Sequence, residues 1–388
     1  MKLTALAAHT PEAVRATLTA RGWQPEPAWF AATGVQQLAV LLEDITEAER
    51  EALVAWSTRS GADVLTGEGW ALICAAASRL APLARPDRAP AGLDRLSPEL
   101  GRFLAGQVEP AQTWSVAQRD IALGDPVLMG ILNVTPDSFS DGGRYDRLDR
   151  AVAQAERLKA DGAHLIDVGG ESTRPGAGVV GVAAETDRVV PVISELMRRG
   201  LGPVSVDTRK AQVARAAVTA GAAVVNDVSG LAFDPLMAES VASLGAGLIV
   251  MHMRGTPDTM DSLTTYAHVS AEVAAELRLA VGKAEAAGVA ASRIAVDPGF
   301  GFAKRPGQNT RLLDELATIV ALGYPVVVGP SRKRFLGAAT GRPVEDRDRA
   351  SAVACALAWE RGARIFRVHD VALAREALAV ARATTAIP

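Results

Sequence analysis

Residues able to carry or bind charge recur in this chain at one kind of place, the end of an apolar run. Asn133 closes VLMGILNV, and Asp207, Asn226, His252 and Asp297 stand late in PVSVDT, AVVNDVSG, GLIVMHMRG and IAVDPGFGF. The group Asp167, Glu171, Thr173 and Arg174 belongs to HLIDVGG and the residues after it. Lys333 follows PVVVGPSR, and Arg367 and His369 end RIFRVHD. Turn formation and helix capping account for Asp and Asn in such positions. They do not account for Lys, Arg and His gathered there as well.

Two kinds of chemistry are open to these residues. Strand alternation puts Arg367 and His369 on one face. A cation at Arg367, a candidate second one at His369, the amide oxygen of Asn133 and the N–H groups opening a helix within SRKRFLG together describe a polyphosphate site. A single amide oxygen is a poor metal site unless Mg²⁺ takes its other ligands from phosphate and water. Asp207, Asn226, Asp297 and Lys333 form a second set, suited to the edge of a flat polar heterocycle. Carboxylates accept from amino and ring N–H groups, Asn does both, and Lys donates. The Asp141-Gly142-Gly143 loop and STRPGAG (172–178) have the composition of segments that close over a pocket.

The elements that position them follow from the rhythm of the chain. From Gln112 onward, eight strand-like runs alternate with helix-length segments such as LDRAVAQAERLKADGA and RKAQVARAAVTAGA, several of them ending in Gly. Eight βα units with special residues at the strand C-termini are the pattern of a TIM barrel and its active-site face. A doubly wound open sheet is the alternative, but no GxGxxG follows an early strand. The expected fold is therefore α/β, a (β/α)8 barrel over 112–388 that opens with two short strands in TWSVAQRDIALG. A small α+β domain at 1–85 and a Pro- and Ala-rich linker at 86–111 precede it. Within 1–85 the pattern predicts a helix ending at Gly22, a strand in QQLAVLLEDI, a helix in EAEREALVAWSTRSG, a strand in ADVLTG and a helix in WALICAAASRLAPL. The acidic run Glu43, Asp44, Glu47, Glu49 and Glu51 reads as a solvated helix start.

Composition narrows the classes. With 49% hydrophobic and 22% charged residues and a net charge of −3, the chain can bury a large core but offers no basic field for nucleic acid or a membrane surface. No apolar run reaches membrane-spanning length. Cys74 and Cys355, alone in Ala-rich segments, read as core thiols and fit a reducing, cytoplasmic setting.

The segments NVTPDSFSDGG, IDVGGESTRPGA, SVDT, NDVSG, MHMRGTP, DPGFGF, SRK and RVHDV match, in order and one per strand, the pattern of the dihydropteroate synthases. The resemblance spans roughly residues 115–385. It implies a transferase of folate biosynthesis that joins 6-hydroxymethyl-7,8-dihydropterin diphosphate to p-aminobenzoate and releases pyrophosphate. It also implies the barrel, Mg²⁺, a homodimer through barrel helices and a sulfonamide target. By motif, Asp207, Asn226, Asp297, Lys333, Arg367, Met251 and Phe302 would hold the pterin. Asn133, Thr173, Arg174, Arg367 and His369 would bind diphosphate, Asn133 through the metal. Phe139, Pro175, Ser331 and Lys333 would frame p-aminobenzoate. Asp141, Lys333, Arg367 and Asn133 would be catalytic, in a dissociative reaction where pyrophosphate leaves first and Asp141 stabilises the pterin cation.

Two departures stand out: Ala303 where many members have Gly, and Pro330 where Ser or Thr often precedes SRK. Residues 1–85 resemble only weakly the N-terminal extensions of some bacterial members. The methyltetrahydrofolate:corrinoid methyltransferases share this barrel, but RVH, SRK and STRP together argue against them. A silent pterin binder is the remaining alternative.

Overall fold

The structure is a computed structural model that describes residues 2–6, 38–75, 80, 82–85, 89–98, 100–101, 111–135, 144–173 and 178–385. The helix expected before Gly22 lies outside these residues, as do Phe139, Asp141, Arg174 and Pro175. The chain forms two compact units.

One unit comprises Met1–Pro110 with Thr265–Glu276 and Glu315–Gly323. Its strands β1 (Lys2–Leu6), β2 (Leu38–Glu43), β3 (Asp63–Gly67) and β4 (Trp70–Ala75) form an antiparallel sheet in the order β1-β2-β4-β3. Helix α1 (Glu47–Ser60) starts at a capping box between Thr46 and Glu49 and stops at left-handed Gly61. The acidic run does open this helix, yet Glu49 is only 6% exposed. Its carboxylate accepts from the Thr46 N–H at 2.7 Å and from two nitrogens of Arg95, each at 2.8 Å.

Two expectations for this region are corrected. WALICA is strand β4, not a helix. A turn at Glu68-Gly69, with Gly69 at φ 71°, joins β3 and β4 as a hairpin. The run is apolar on both faces, so its composition hides the two-residue period. The stretch expected as a linker is no solvated tether where it is described. Leu93, Leu96 and Leu100, spaced three and four apart, are buried in one core with Leu53, Trp56 and Ile73.

The other unit comprises Ala111–Thr264, Leu277–Asp314 and Tyr324–Pro388. A hairpin, β5 (Thr113–Val116) and β6 (Arg119–Ala122), leads into β7 (Val127–Asn133), β8 (Leu165–Gly169), β9 (Val204–Asp207), β10 (Val224–Asp227), β11 (Gly247–Met251), β12 (Ile294–Asp297), β13 (Val327–Val328) and β14 (Ile365–Val368). These eight pair in parallel, in the order β12-β11-β10-β9-β8-β7-β14-β13. A parallel bridge between Val296 and Val326 closes the ring. The expected TIM barrel is the fold. Helices along this part of the chain are α2 (Arg144–Ala160), α3 (Val182–Arg198), α4 (Ala211–Thr219), α5 (Met237–Leu244), α6 (Val269–Ala286), α7 (Pro306–Asp314), α8 (Ala317–Val320), α9 (Arg334–Thr340), α10 (Asp348–Glu360) and α11 (Val371–Thr385), of which α8 and the start of α6 belong to the first unit. Among the described residues no helix is long and apolar enough to cross a membrane.

Alternation along the strands builds the interior in layers. Val127, Met129, Leu165, Val224, Ile249, Ala295, Val327 and Ile365 pack with Trp114 and Val116 of the hairpin. Trp114 is fully buried and donates its Nε1–H to the Arg293 carbonyl at 3.0 Å. Each such side chain contributes about 1.5–3 kcal/mol of burial. The hairpin thus seals the N-terminal mouth. Steps of two along the same inward face then bring Asp167, Asp207, Asn226, Asp297 and Arg367 to the opposite mouth.

Candidate active site

Register brings the first members of the site to one level. Gly169 pairs with Asn133 on one side and Asp207 on the other, and Asp207 pairs with Asn226. A Cβ at Gly169 would lie 3.5 Å from Asn133 Oδ1 and 3.6 Å from Asp207 Cβ. The glycine therefore leaves space between Asn133 and Asp207.

At the centre is a buried charge cluster. Arg367 Nε donates to Asp167 Oδ2 at 2.6 Å, and Arg367 Nη2 donates to Asp207 Oδ2 at 2.7 Å. Asn226 Nδ2 donates to the same Asp167 oxygen at 3.2 Å. Burial alone would lower the Arg367 pKa, but the carboxylates of Asp167, Asp207 and Asp297 outweigh it and raise it. Burial pushes the Asp207 carboxyl up, and Asp167 and Glu185 push the same way against the pull of Arg367 and Lys333. Sequence reasoning placed Asp167 at a strand end and gave it no role.

The loop after β12 supplies another wall. Asp297 Oδ1 accepts the Gly299 N–H at 2.7 Å. Phe302 and Met251 share an apolar cluster with Val228, Met260 and Ala303. The Lys333 ammonium sits 4.1 Å from the centre of the Phe302 ring. Ala303 holds φ at 50°, where glycine would be unstrained. Lys304, which sequence reasoning passed over, is buried; its ammonium lies 2.9 Å from His252 Nδ1 and donates to the carbonyls of Gly299 and Phe302 at 3.0 Å. Its place two residues after GF was the available signal.

Around β13 and β14, Ser331 Oγ meets His369 Nδ1 at 2.9 Å and accepts the His369 backbone N–H at 3.2 Å. Burial, then the charges of Arg332 and Arg367, depress the His369 pKa to about 3. His369 is thus a neutral ring in the ligand-free protein, not the second cation expected. The neutral ring keeps one N–H donor, at Nδ1 toward Ser331 or at Nε2. The helix expected to open within SRKRFLG is α9, which has seven residues and no side-chain cap.

Glu171 turns away from this cluster. It accepts from Arg209, Lys210 and the Val180 N–H, which hold its pKa below the usual range against the opposing effect of burial. Thr173 is half-buried just beyond it.

The buried carboxylates give a pH prediction. Burial raises Asp297 to about 6, opposed by the Gly299 N–H and by Arg367, Lys333 and Lys304. If the ionised form accepts from substrate, kcat/KM falls as pH drops through about 6. The stability effect runs the other way. A folded pKa above the ordinary 3.8 makes the ionised carboxylate a cost above about 6, and protonation relieves that cost on acidification. Melts of ligand-free wild type and Asp297→Asn should therefore differ most above pH 6, with the variant more stable. They should converge near the ordinary carboxylate range.

Residues 129–369 match the model of the pterin binding enzymes. A dihydropteroate synthase from Synechocystis sp. is 45% identical over 245 residues, covering 63% of this chain and 85% of that protein. The chain belongs to the dihydropteroate synthase family. Two solved Xanthomonas albilineans dihydropteroate synthases agree with the barrel described above. One, with 4-aminobenzoic acid, is 46% identical at a TM-score of 0.67, covering 72% of this chain and all of that one. The other, in complex with 7,8-dihydropteroate, is 43% identical at a TM-score of 0.65, covering 71% and 100%. The pterin-binding model begins at residue 129, so the first unit's leading stretch, residues 1–110, lies outside it.

Proposed function

We infer that this chain is a transferase of folate biosynthesis that condenses 6-hydroxymethyl-7,8-dihydropterin diphosphate with p-aminobenzoate, giving 7,8-dihydropteroate and pyrophosphate. The observation that carries this reading is the buried cluster of Arg367, Asp167, Asp207 and Asn226 at the C-terminal mouth of a barrel of this family. It combines hydrogen-bond acceptors for a donor-rich ring with a fixed cation. Asp207, Asn226, Asp297 and Lys333 would hold the ring edge, with Met251 and Phe302 against its faces. Arg367, the neutral His369 and the Thr173–Arg174 segment would bind the diphosphate.

Mg²⁺ fits this donor set in one way only. Among the described residues no group of three His, Cys, Asp or Glu could hold a metal. Asn133 offers one amide oxygen, so diphosphate and water must supply the other ligands. Held through Asn133, Mg²⁺ would supply charge neutralisation for the leaving group. The chain's own residues do the rest. Arg367 stabilises the departing diphosphate as the pterin methylene C–O bond breaks and the electron pair leaves with oxygen. Asp141 would face the resulting cation. The amine of p-aminobenzoate, framed by Phe139, Pro175, Ser331 and Lys333, attacks that carbon and loses a proton.

Pyrophosphate release from the pterin diphosphate, followed with and without p-aminobenzoate, tests the reading. Dihydropteroate should form only with the amine, and release in its absence would support the dissociative order. Pterin binding with no pyrophosphate at all would refute the function.

We also propose that the protein is a cytoplasmic homodimer. Val353 and Leu357 on α10 and Val380 on α11 are 58%, 38% and 68% exposed, an apolar patch on two adjacent helices. Burial raises both cysteine thiols to about 12, in keeping with a reducing compartment. Val353→Glu combined with Val380→Glu should halve the sedimenting mass at micromolar concentration. A monomeric wild type would reject the dimer.

A further inference from the structure

We propose that Asp167 is a positioning residue that sets the hydrogen-bonding sense of the pocket, making it accept from the ring and reject rings that present acceptors instead. This rests on the pterin reading above.

The argument begins with what a carboxylate can do. Asp167 has no exposed side-chain surface, and its Oδ2 takes both the Arg367 Nε and the Asn226 Nδ2 donors. An ionised carboxylate only accepts, so Asn226 must turn its NH₂ toward Asp167. The opposite end of the amide, Oδ1, makes no hydrogen bond among the described residues and is left as an acceptor. Asn226 is itself 3% exposed, and its strand neighbour at the same level is Asp207. Asp297 adds a second carboxylate from β12. A pocket walled by Asn226 Oδ1, Asp207 and Asp297 is rich in acceptors, and the ring it fits offers N–H groups along one edge. A 2-amino-4-oxopteridine offers its amino and ring N–H groups. Replacing the 2-amino group with oxo sets acceptor against acceptor, which a buried site penalises strongly.

Asp167 fixes Arg367 by the same means. Two carboxylates on adjacent strands, Asp167 and Asp207, hold Nε and Nη2, so the guanidinium plane is set before any ligand arrives. The second oxygen of Asp167 is buried and has no hydrogen-bond partner among the described residues. A side chain retained there for packing alone would need no charge, and this unsatisfied oxygen costs stability.

The test is calorimetric binding of pterin and of its 2-oxo analogue lumazine to wild type, Asp167→Asn and the exchange pair Asp167→Asn with Asn226→Asp. Wild type should prefer pterin. In Asp167→Asn the residue at 167 can either donate or accept, the Asn226 amide is released to turn, and the preference should shrink by about tenfold or more. The exchange restores one amide facing one carboxylate. It again leaves an acceptor on β10 and an acceptor for Arg367, so it should recover most of the lost preference. A structural lesion would not be repaired by swapping the two groups. An undiminished preference in Asp167→Asn, or an exchange no better than the single variant, overturns the assignment. If wild type releases pyrophosphate normally and the variants behave so, only Asp167's role falls. If wild type binds neither ring, the pterin reading falls with it.

Discussion

Arg367→Met is expected to lower kcat/KM by about a thousandfold and to destabilise the ligand-free protein by about 3–5 kcal/mol. The two effects have one origin. Asp167 and Asp207 are held in the barrel mouth by the guanidinium at 2.6 and 2.7 Å, and Asp167 has no solvent contact with which to replace it. Met fills much of the volume but leaves two neighbouring carboxylates facing each other. They respond by taking up protons, and the Asp207 carboxyl, which burial already raises, is pushed up further. The loss should then be largest above neutral pH and should shrink on acidification. Arg367→Lys separates charge from geometry. One ammonium cannot reproduce the fork that meets two carboxylates on different strands, so part of the stability returns while most of the activity does not. Urea midpoints at pH 6 and pH 8, measured beside kcat/KM for both variants, separate the two effects. An Arg367→Met protein within tenfold of wild-type kcat/KM would show that the leaving group is stabilised elsewhere.

Much of this architecture is legible in the chain because a barrel strand writes its purpose along a period of two. Val127 and Met129 pack the sealed end, and Asn133 emerges at the open one. The same reading applies to Leu165 and Asp167 or to Ile365 and Arg367. What the period cannot show is which partner each polar group finds. Asp167 meets Asn226 and Arg367 across 59 and 200 residues of chain, so its position was readable and its role was not. The charge of His369 was hidden for a similar reason, since it depends on burial beside Arg332 and Arg367. Local chemistry misled where both faces are buried: WALICA carries no alternation to reveal β4. The Ala303 departure now has a consequence in the backbone, a φ of 50° that costs an L-residue about 1 kcal/mol and that Gly would not incur.

Gly299→Ala should be the most damaging small substitution in the barrel, costing about 3 kcal/mol or more and raising the pterin KM at least about tenfold. Gly299 has φ +68°, and a Cβ built there would stand 2.0 Å from the carbonyl oxygen of His252. That neighbour is backbone and has no rotamer to escape into. The same short segment is tied on both sides. The His252 N–H donates to the Asp297 carbonyl at 2.9 Å, the Gly299 N–H donates to Asp297 Oδ1 at 2.7 Å, and Lys304 joins Gly299 to His252. Relieving the clash must separate the loops after β11 and β12, and Asp297 and Phe302 move with them. Gly341 provides the control. Its φ is +71° but nothing lies within 4 Å of its Cβ position, so Gly341→Ala carries the left-handed penalty alone, about 1–2 kcal/mol. Denaturation of the two variants in parallel isolates the steric part, and pterin calorimetry reads its transmission to the site. Equal losses would mean that the two loops are not in such close contact. A large loss at Gly299 with unchanged pterin affinity would mean that Asp297 is positioned without them.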